Sequence, residues 1–310
     1  MAEPLRPMST GQLLDHTFGL YRRNFLLFVG IATVGPAANL IFRLLTVGAD
    51  VGAPLGSRRA ATGAATLATT GLTVILGYVI MLAGMALSHA ATVKAVAAVY
   101  LGRETSVIGA YKALRGRIWS LFGTFGLIVL IVCAALVAVI IVAVLVTTFG
   151  LVEITGAGTA GAVVRVLVIA ALALAAFMAI YVRYALAIQA CVVEGMGPRA
   201  SLKRSVFLSN GARWRVVAIY LVFVLLAAIL EAGLGGFLGY VGTLLHNRIL
   251  AAMLIYIAAS ITGSITGPLA TIGLSLLYYD ERVRKEAFDL QLMLASLESP
   301  EMAIAIPAQV

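Results

Sequence analysis

The chain is predicted to be an all-α integral membrane protein: six transmembrane helices in three parallel-topology repeats, each an interfacial amphipathic helix followed by two spans. Three observations carry this. Apolar residues make up 62% of the 310 residues and charged ones 11%, whereas soluble domains average about half and a quarter. Several apolar runs reach the ~20 residues that cross a bilayer as helix. A basic amphipathic segment ending in an aromatic residue also recurs ahead of an apolar run, at Phe25, Trp119 and Trp214, with spacings of 94 and 95 residues.

Residues 1–8, with Pro4 and Pro7, read as a flexible tail. Ser9 followed three positions on by Gln12 is a capping-box pattern, and Leu14, Phe18, Tyr21 and Phe25 recur at helical spacing. Residues 10–24 are therefore expected to form a helix in the headgroup layer. The first span, 25–47, contains Pro36, which removes a backbone donor and should kink it; Arg43 is expected to snorkel to the far headgroups. A loop at 48–63 carries Arg58 and Arg59. In the second span, 65–88, Gly71, Gly77 and Gly84 offer a thin packing surface. His89 and Lys94 follow at its exit.

The second repeat starts at a turn, 102–104, with Thr105 or Ser106 as cap. Val107, Ala110, Tyr111, Leu114 and Ile118 form the apolar side of its interfacial helix. The third span, 119–148, exceeds a bilayer's thickness and must tilt, bend or protrude. After a loop at 150–161 comes the fourth span, 162–182, with Arg165 near its entry and Arg183 at its exit. A Gly–Pro pair then ends the helix and places Pro198 in the first turn of the next. The third repeat carries Arg199, Lys203, Arg204 and Arg213 ahead of span five, 214–232, and Arg215 at its start. Residues 231–247 are glycine-rich, leaving loop, re-entrant turn or helix open. In span six, 249–277, Gly263 and Gly267 are four apart, the small-residue spacing of close helix packing, and Pro268 should break or kink it. The repeats run 9–102, 103–197 and 198–279 of one membrane domain, 9–279. Residues 280–297 are expected as a cytoplasmic amphipathic helix, and 298–310 as a disordered tail.

Sixteen of the 22 Lys and Arg residues fall on the side of the N-terminus, the loops after spans two and four, and the C-terminal helix. The positive-inside rule puts both termini in the cytoplasm, and an even number of spans agrees. Three parallel units imply hairpins around a pseudo-three-fold axis. The sequence pI near 9.8 does not point to nucleic acid, because the basic residues sit at helix ends, where anionic headgroups act on them.

Catalytic chemistry finds little material. The three histidines, His16, His89 and His246, are scattered, and no HExxH, GxSxG or Walker-type loop occurs. Six of the 13 acids lie at or beyond Asp280, where they are read as solvating a cytosolic helix. Cys133 and Cys191 are read as small core residues, and no cofactor or metal is expected. Arg165 and Glu231 both fall near the far boundary, as a candidate pair.

GQLLDHTFGLYRRNF, SLKRSVFLSNGARWRV and LLYYDERVRKEAFDLQ resemble the bacterial membrane-domain family named after glycerophosphoryl diester phosphodiesterase, over residues 9–292. The family's soluble domain uses a catalytic His loop with acidic metal ligands, and nothing here resembles that loop. The resemblance thus implies a lipid-related membrane module and carries over no catalytic residue.

The expected function is a non-enzymatic, multi-pass protein of the bacterial inner membrane that binds anionic phospholipids or scaffolds another membrane protein. Its headgroup contacts would be Arg22, Arg23, Lys94, Arg115, Arg117, Arg183, Lys203, Arg204 and Arg213. Phe25, Trp119 and Trp214 would anchor the interface, with Pro36, Gly263, Gly267 and Pro268 shaping helix packing. The alternatives are a permease-like subunit with a pathway beside a broken sixth helix and, more remotely, a membrane-bound lipid phosphodiesterase.

Overall fold

The computed structural model describes residues 8–52, 64–100, 102–148 and 159–287. The loop bearing Arg58 and Arg59, residues 1–7, residues 149–158 and everything past 287 lie outside the described residues. Within them the regular elements are helices, and six stretches are long and apolar enough to cross a membrane: Phe25–Leu44, Val74–Tyr100, Ile118–Leu145, Val166–Glu194, Arg213–Leu244 and Ile249–Glu286. By length and composition these helices make the chain a multi-pass membrane protein, all-helical among the described residues.

Helix α1, Thr10–Arg23, begins with the expected capping box: the Gln12 amide donates to Ser9 Oγ at 3.3 Å, and the Ser9 amide to Gln12 Oε1 at 2.9 Å. Its buried row is Leu13, Thr17 and Tyr21, whereas Phe18 and Phe25 are exposed. The expected apolar stripe is thus divided: Tyr21 packs into the protein, and Phe18 and Phe25 stay on the outer surface. The first span is divided at Thr33 into α2, Phe25–Ala32, and α3, Val34–Gly52. Pro36 cannot donate to the Ala32 carbonyl four residues back; Ser88 Oγ donates to it instead, at 3.1 Å. Helix α4, Ala64–Tyr100, is one piece of 37 residues. A Cβ on its Gly77 would collide with the Phe42 ring, and one on Gly84 would lie 2.9 Å from Ala38 Cβ. The thin surface therefore faces α3. The surroundings of Gly71 lie outside the described residues.

Ser106 caps α5, Val107–Lys112, with its Oγ accepting from the Gly109 amide at 3.1 Å. This helix is shorter than expected, because the chain turns through Gly116 at φ +87° before α6, Ile118–Thr148. Cys133 is exposed on α6 while Cys191 is buried, so only the second is a core residue. On a uniformly apolar helix the sequence does not mark which face packs. The fourth span is two helices, α7, Thr159–Tyr184, and α8, Ala187–Glu194. Ser205 Oγ bridges the break, accepting from the Leu186 amide at 3.2 Å and donating to the Arg183 carbonyl at 3.0 Å.

Pro198 opens α9, Pro198–Ser209, at its first position, as expected. Lys285 Nζ caps the other end, donating to the carbonyls of Phe207, Leu208 and Asn210 at 3.1, 2.6 and 2.6 Å, where a cation suits the helix C-terminus. Helix α10, Arg213–Leu244, runs through the glycine-rich stretch, so a loop or re-entrant turn is excluded up to Leu244. Packing offsets the poor helix propensity of glycine: a Cβ on Gly242 would run into the Ala251 backbone of the next helix. That helix, α11, Arg248–Glu286, passes Pro268 without a break, so of the expected break or kink the break is excluded. One missing donor is tolerable when neighbours supply others. Tyr21 Oη donates to the adjacent Ile265 carbonyl at 2.7 Å, and Ser264, Thr266 and Ser275 each donate to the carbonyl four residues back. No separate helix starts at 280; α11 continues to Glu286 and ends at Ala287, φ 49°.

Helix α11 is the central one, packing on α1, α2, α3, α4, α9 and α10. Residues 271–281 are all buried. Around it the contacts run in sequence: α4 packs on α5 and α6, α8 on α9, α7 on α10, and α11 on α1, α2 and α3.

Candidate functional site

Three polar regions stand out on a molecule whose outer face is largely Leu, Val and Ile. The first is the end of α11. Arg215 Nη1 lies 2.6 Å from both Asp280 Oδ2 and Glu281 Oε1, and those carboxylates are 0% and 4% exposed. Arg284 Nε is 2.8 Å from Asp280, and the Met8 amide donates to Asp280 Oδ1 at 2.6 Å. Beside this knot, Arg204 pairs with Glu194 and Glu286, while the Tyr278 hydroxyl donates to Glu194. The hydrogen bond to Glu286 holds the Arg204 guanidinium above its ordinary range, against desolvation. Asp280 and Glu281 therefore do not solvate a cytosolic helix: their charges are buried because Arg215 meets both. With its carboxylates buried and paired, this cluster locks helix ends together.

The second region is the basic collar. Arg22, Arg23, Arg115, Arg117, Arg183, Lys203 and Arg213 are exposed, whereas Lys94 is half-buried. Arg117 lies against Gly195, at φ +72°, where a Cβ would overlap its guanidinium, and it is close enough to Lys94 for the two charges to act on each other. Arg204 is the exception: its ion pairs take it out of the exposed set. Trp119 is 88% and Trp214 83% exposed, each in the first turn of a long helix, and Phe25 is 41% exposed. Arg43 Nε donates to Asn39 Oδ1 at 3.0 Å, with the guanidinium 5.0 Å from the Tyr256 ring centre. The side chain of Arg165 lies outside the described residues, and with it the pairing with Glu231.

The third region is a cavity of about 260 Å³ between α2, α3, α4 and α11. Gly263 abuts Pro36, its Cβ position 3.3 Å from Pro36 Cγ, whereas a Cβ on Gly267 meets nothing within 4 Å. Those two residues, expected as one packing surface, thus divide the work: one closes the helix pair and the other leaves room. His89 projects in from α4, and its Nδ1 lies 2.9 Å from Thr271 Oγ1. Nearby, Tyr111 Oη donates to the Ile31 carbonyl at 2.7 Å. Burial pushes the Tyr21 and Tyr111 hydroxyls up to about 12, so both remain donors at neutral pH. The expectation of a pathway beside the sixth helix touches this site at Thr266, whereas the α4 wall of Ser88, His89 and Thr92 is not foreseen, although the three fall within one helical turn. Among the described residues no group of His, Cys, Asp and Glu is arranged to hold a metal ion.

No family model, curated protein or solved structure matches the chain.

Proposed function

We propose that the chain is a non-enzymatic lipid-interacting module of the bacterial inner membrane, built as three repeats with both termini in the cytoplasm. The observation that carries this is the exposed basic collar beside exposed aromatic residues. Arg22 and Arg23 precede Phe25, Arg115 and Arg117 precede Trp119, and Lys203 and Arg213 precede Trp214. Tryptophan favours the interface, and each Lys or Arg near anionic headgroups contributes ~1 kcal/mol. The cyclic order of helix contacts supports the repeat reading, since each unit's last helices meet the next unit's first ones and the third unit closes on the first. The Met8–Asp280 bond supports termini on one side. The likeness to the phosphodiesterase-associated membrane domains rests on the quoted motifs alone and is consistent with this role. With the sixth helix unbroken, the permease reading loses the feature that suggested it; only the cavity remains in its favour.

The test is anionic lipid retained on purification. Replacing Arg22, Arg23, Arg115, Arg117, Lys203 and Arg213 together by Gln should lower retained phosphatidylglycerol several-fold, with phosphatidylethanolamine unchanged. Retention equal to that of the unaltered chain would sink the proposal.

A further inference from the structure

The cavity presents an unusual chemistry for its position. Its walls are mostly carbon, with five hydroxyls, one imidazole and one amide set into them. Each hydroxyl proton already has an acceptor in the main chain. Ser88 donates to Ala32 O at 3.1 Å, Thr92 to Ser88 O at 2.8 Å, Ser260 to Tyr256 O at 3.0 Å, Thr266 to Thr262 O at 2.8 Å and Thr271 to Gly267 O at 3.3 Å. Such back-bonding hides a hydroxyl's donor while leaving its lone pairs outward. Where the Thr271 proton goes to Gly267 O, His89 Nδ1 donates to Thr271 and Nε2 is left as the acceptor; where it goes to His89 Nδ1, at 2.9 Å, the Thr271 oxygen keeps both lone pairs, so the pair offers an acceptor in either tautomer. Among the described residues, His89 Nε2 meets no hydrogen-bond partner. The lining is therefore rich in acceptors.

Charge narrows the occupant further. Among the described residues no Asp, Glu, Lys or Arg lines the space, so an ion entering it would meet no counter-charge on the lining in a region of low dielectric. The rim residues Met85 and Ala259 are exposed on the apolar outer face, where an occupant arriving from lipid would enter. At ~30 Å³ per water the space equals roughly eight or nine waters, too little for a phospholipid.

We propose that this cavity binds a small uncharged amphiphile of about eight or nine heavy atoms at most, whose hydroxyl or amide N–H is received by the Thr271–His89 pair and the neighbouring hydroxyl oxygens. Its carbon body lies on Pro36, Met85 and Ala259. The site is separate from the basic collar and does not depend on lipid headgroup binding.

The probe is a diazirine-bearing hexanol, photolysed on the full chain in nanodiscs, with adducts mapped by mass spectrometry. Adducts are expected to concentrate on the lining residues of α3, α4 and α11. Benzyl alcohol should displace them, and its isomer anisole, which has no donor, should not. Gly267→Val should reduce them at least tenfold, because its Cβ enters open space. Thr271→Val, nearly the same shape, should abolish the difference between the two competitors, which keeps the test open if the first variant misfolds. Equal competition by anisole would make the space a mere apolar void, and labelling no denser than on the exposed Leu and Ile of α6 would remove the site altogether.

Discussion

Arg213 and Arg215 stand two positions apart on α10 and meet opposite surroundings. Arg213 is exposed, while Arg215 sits 2.6 Å from two buried carboxylates and also donates to the Met8 carbonyl at 3.0 Å. Breaking a buried pair leaves uncompensated charge, at a cost of ~3–5 kcal/mol, whereas an exposed substitution changes stability by about 0.5 kcal/mol at most. Arg215→Gln should therefore strongly destabilise the chain in denaturation from mixed micelles, and Arg213→Gln should not. Adding Asp280→Asn and Glu281→Gln to Arg215→Gln should recover part of the loss, as a double-mutant cycle would register. A full-sized loss persisting in that combined variant would mean the carboxylates are not what Arg215 serves. The sequence groups the two arginines in one collar because their spacing is visible and their partners are not: Asp280 and Glu281 lie 65 and 66 positions away.

At the scale of single helices, local signals were legible where chemistry is local. The Ser9–Gln12 box, the Ser106 cap and Pro198 at the start of α9 all appear where their patterns place them. What failed to read through was anything decided by a neighbouring helix. The stretch of α10 containing Gly233, Gly235, Gly236, Gly239 and Gly242 is poor helix material alone, yet it is helical, and α11 comes close to it at Gly239 and Gly242. Pro268 likewise looked like a break, but α11 is held by its neighbours. Two glycines of α10 separate these influences. Gly242→Ala would drive a methyl group into the Ala251 backbone, and overpacking of that kind costs ~1–3 kcal/mol. Gly236→Ala meets nothing within 4 Å and gains helix propensity, up to ~1 kcal/mol. The first variant should unfold at lower temperature than the parent and the second at equal or higher temperature. If both behaved alike, close approach of the two helices would not explain the glycines.

For the whole molecule, the six apolar runs were countable from the sequence because hydrocarbon thickness imposes their length. The centrality of α11 was not, since its apolar residues resemble those of α6, which faces outward. The cavity was legible only in part, through the small polar residues before Pro268: it is defined by four helices, and the hydroxyls of α4 read as ordinary small polar residues within a span. Topology is the level at which the sequence and the helix packing can be joined in one measurement. The Met8 amide holds Asp280 at 2.6 Å, tying the start of the chain to the end of α11, while His246 sits in the turn between α10 and α11, at the other end of both helices. With Cys133 and Cys191 replaced by Ala, single cysteines at His16, Ala287 and His246 are all at exposed positions. A membrane-impermeant maleimide added to inverted inner-membrane vesicles should label positions 16 and 287 and spare 246, and right-side-out spheroplasts should give the reverse. Labelling of 16 and 287 from opposite faces would break the even number of crossings on which the three-hairpin arrangement depends. Labelling of both from the outside would keep the hairpins but invert them, placing the basic collar against the leaflet where the positive-inside rule does not put it.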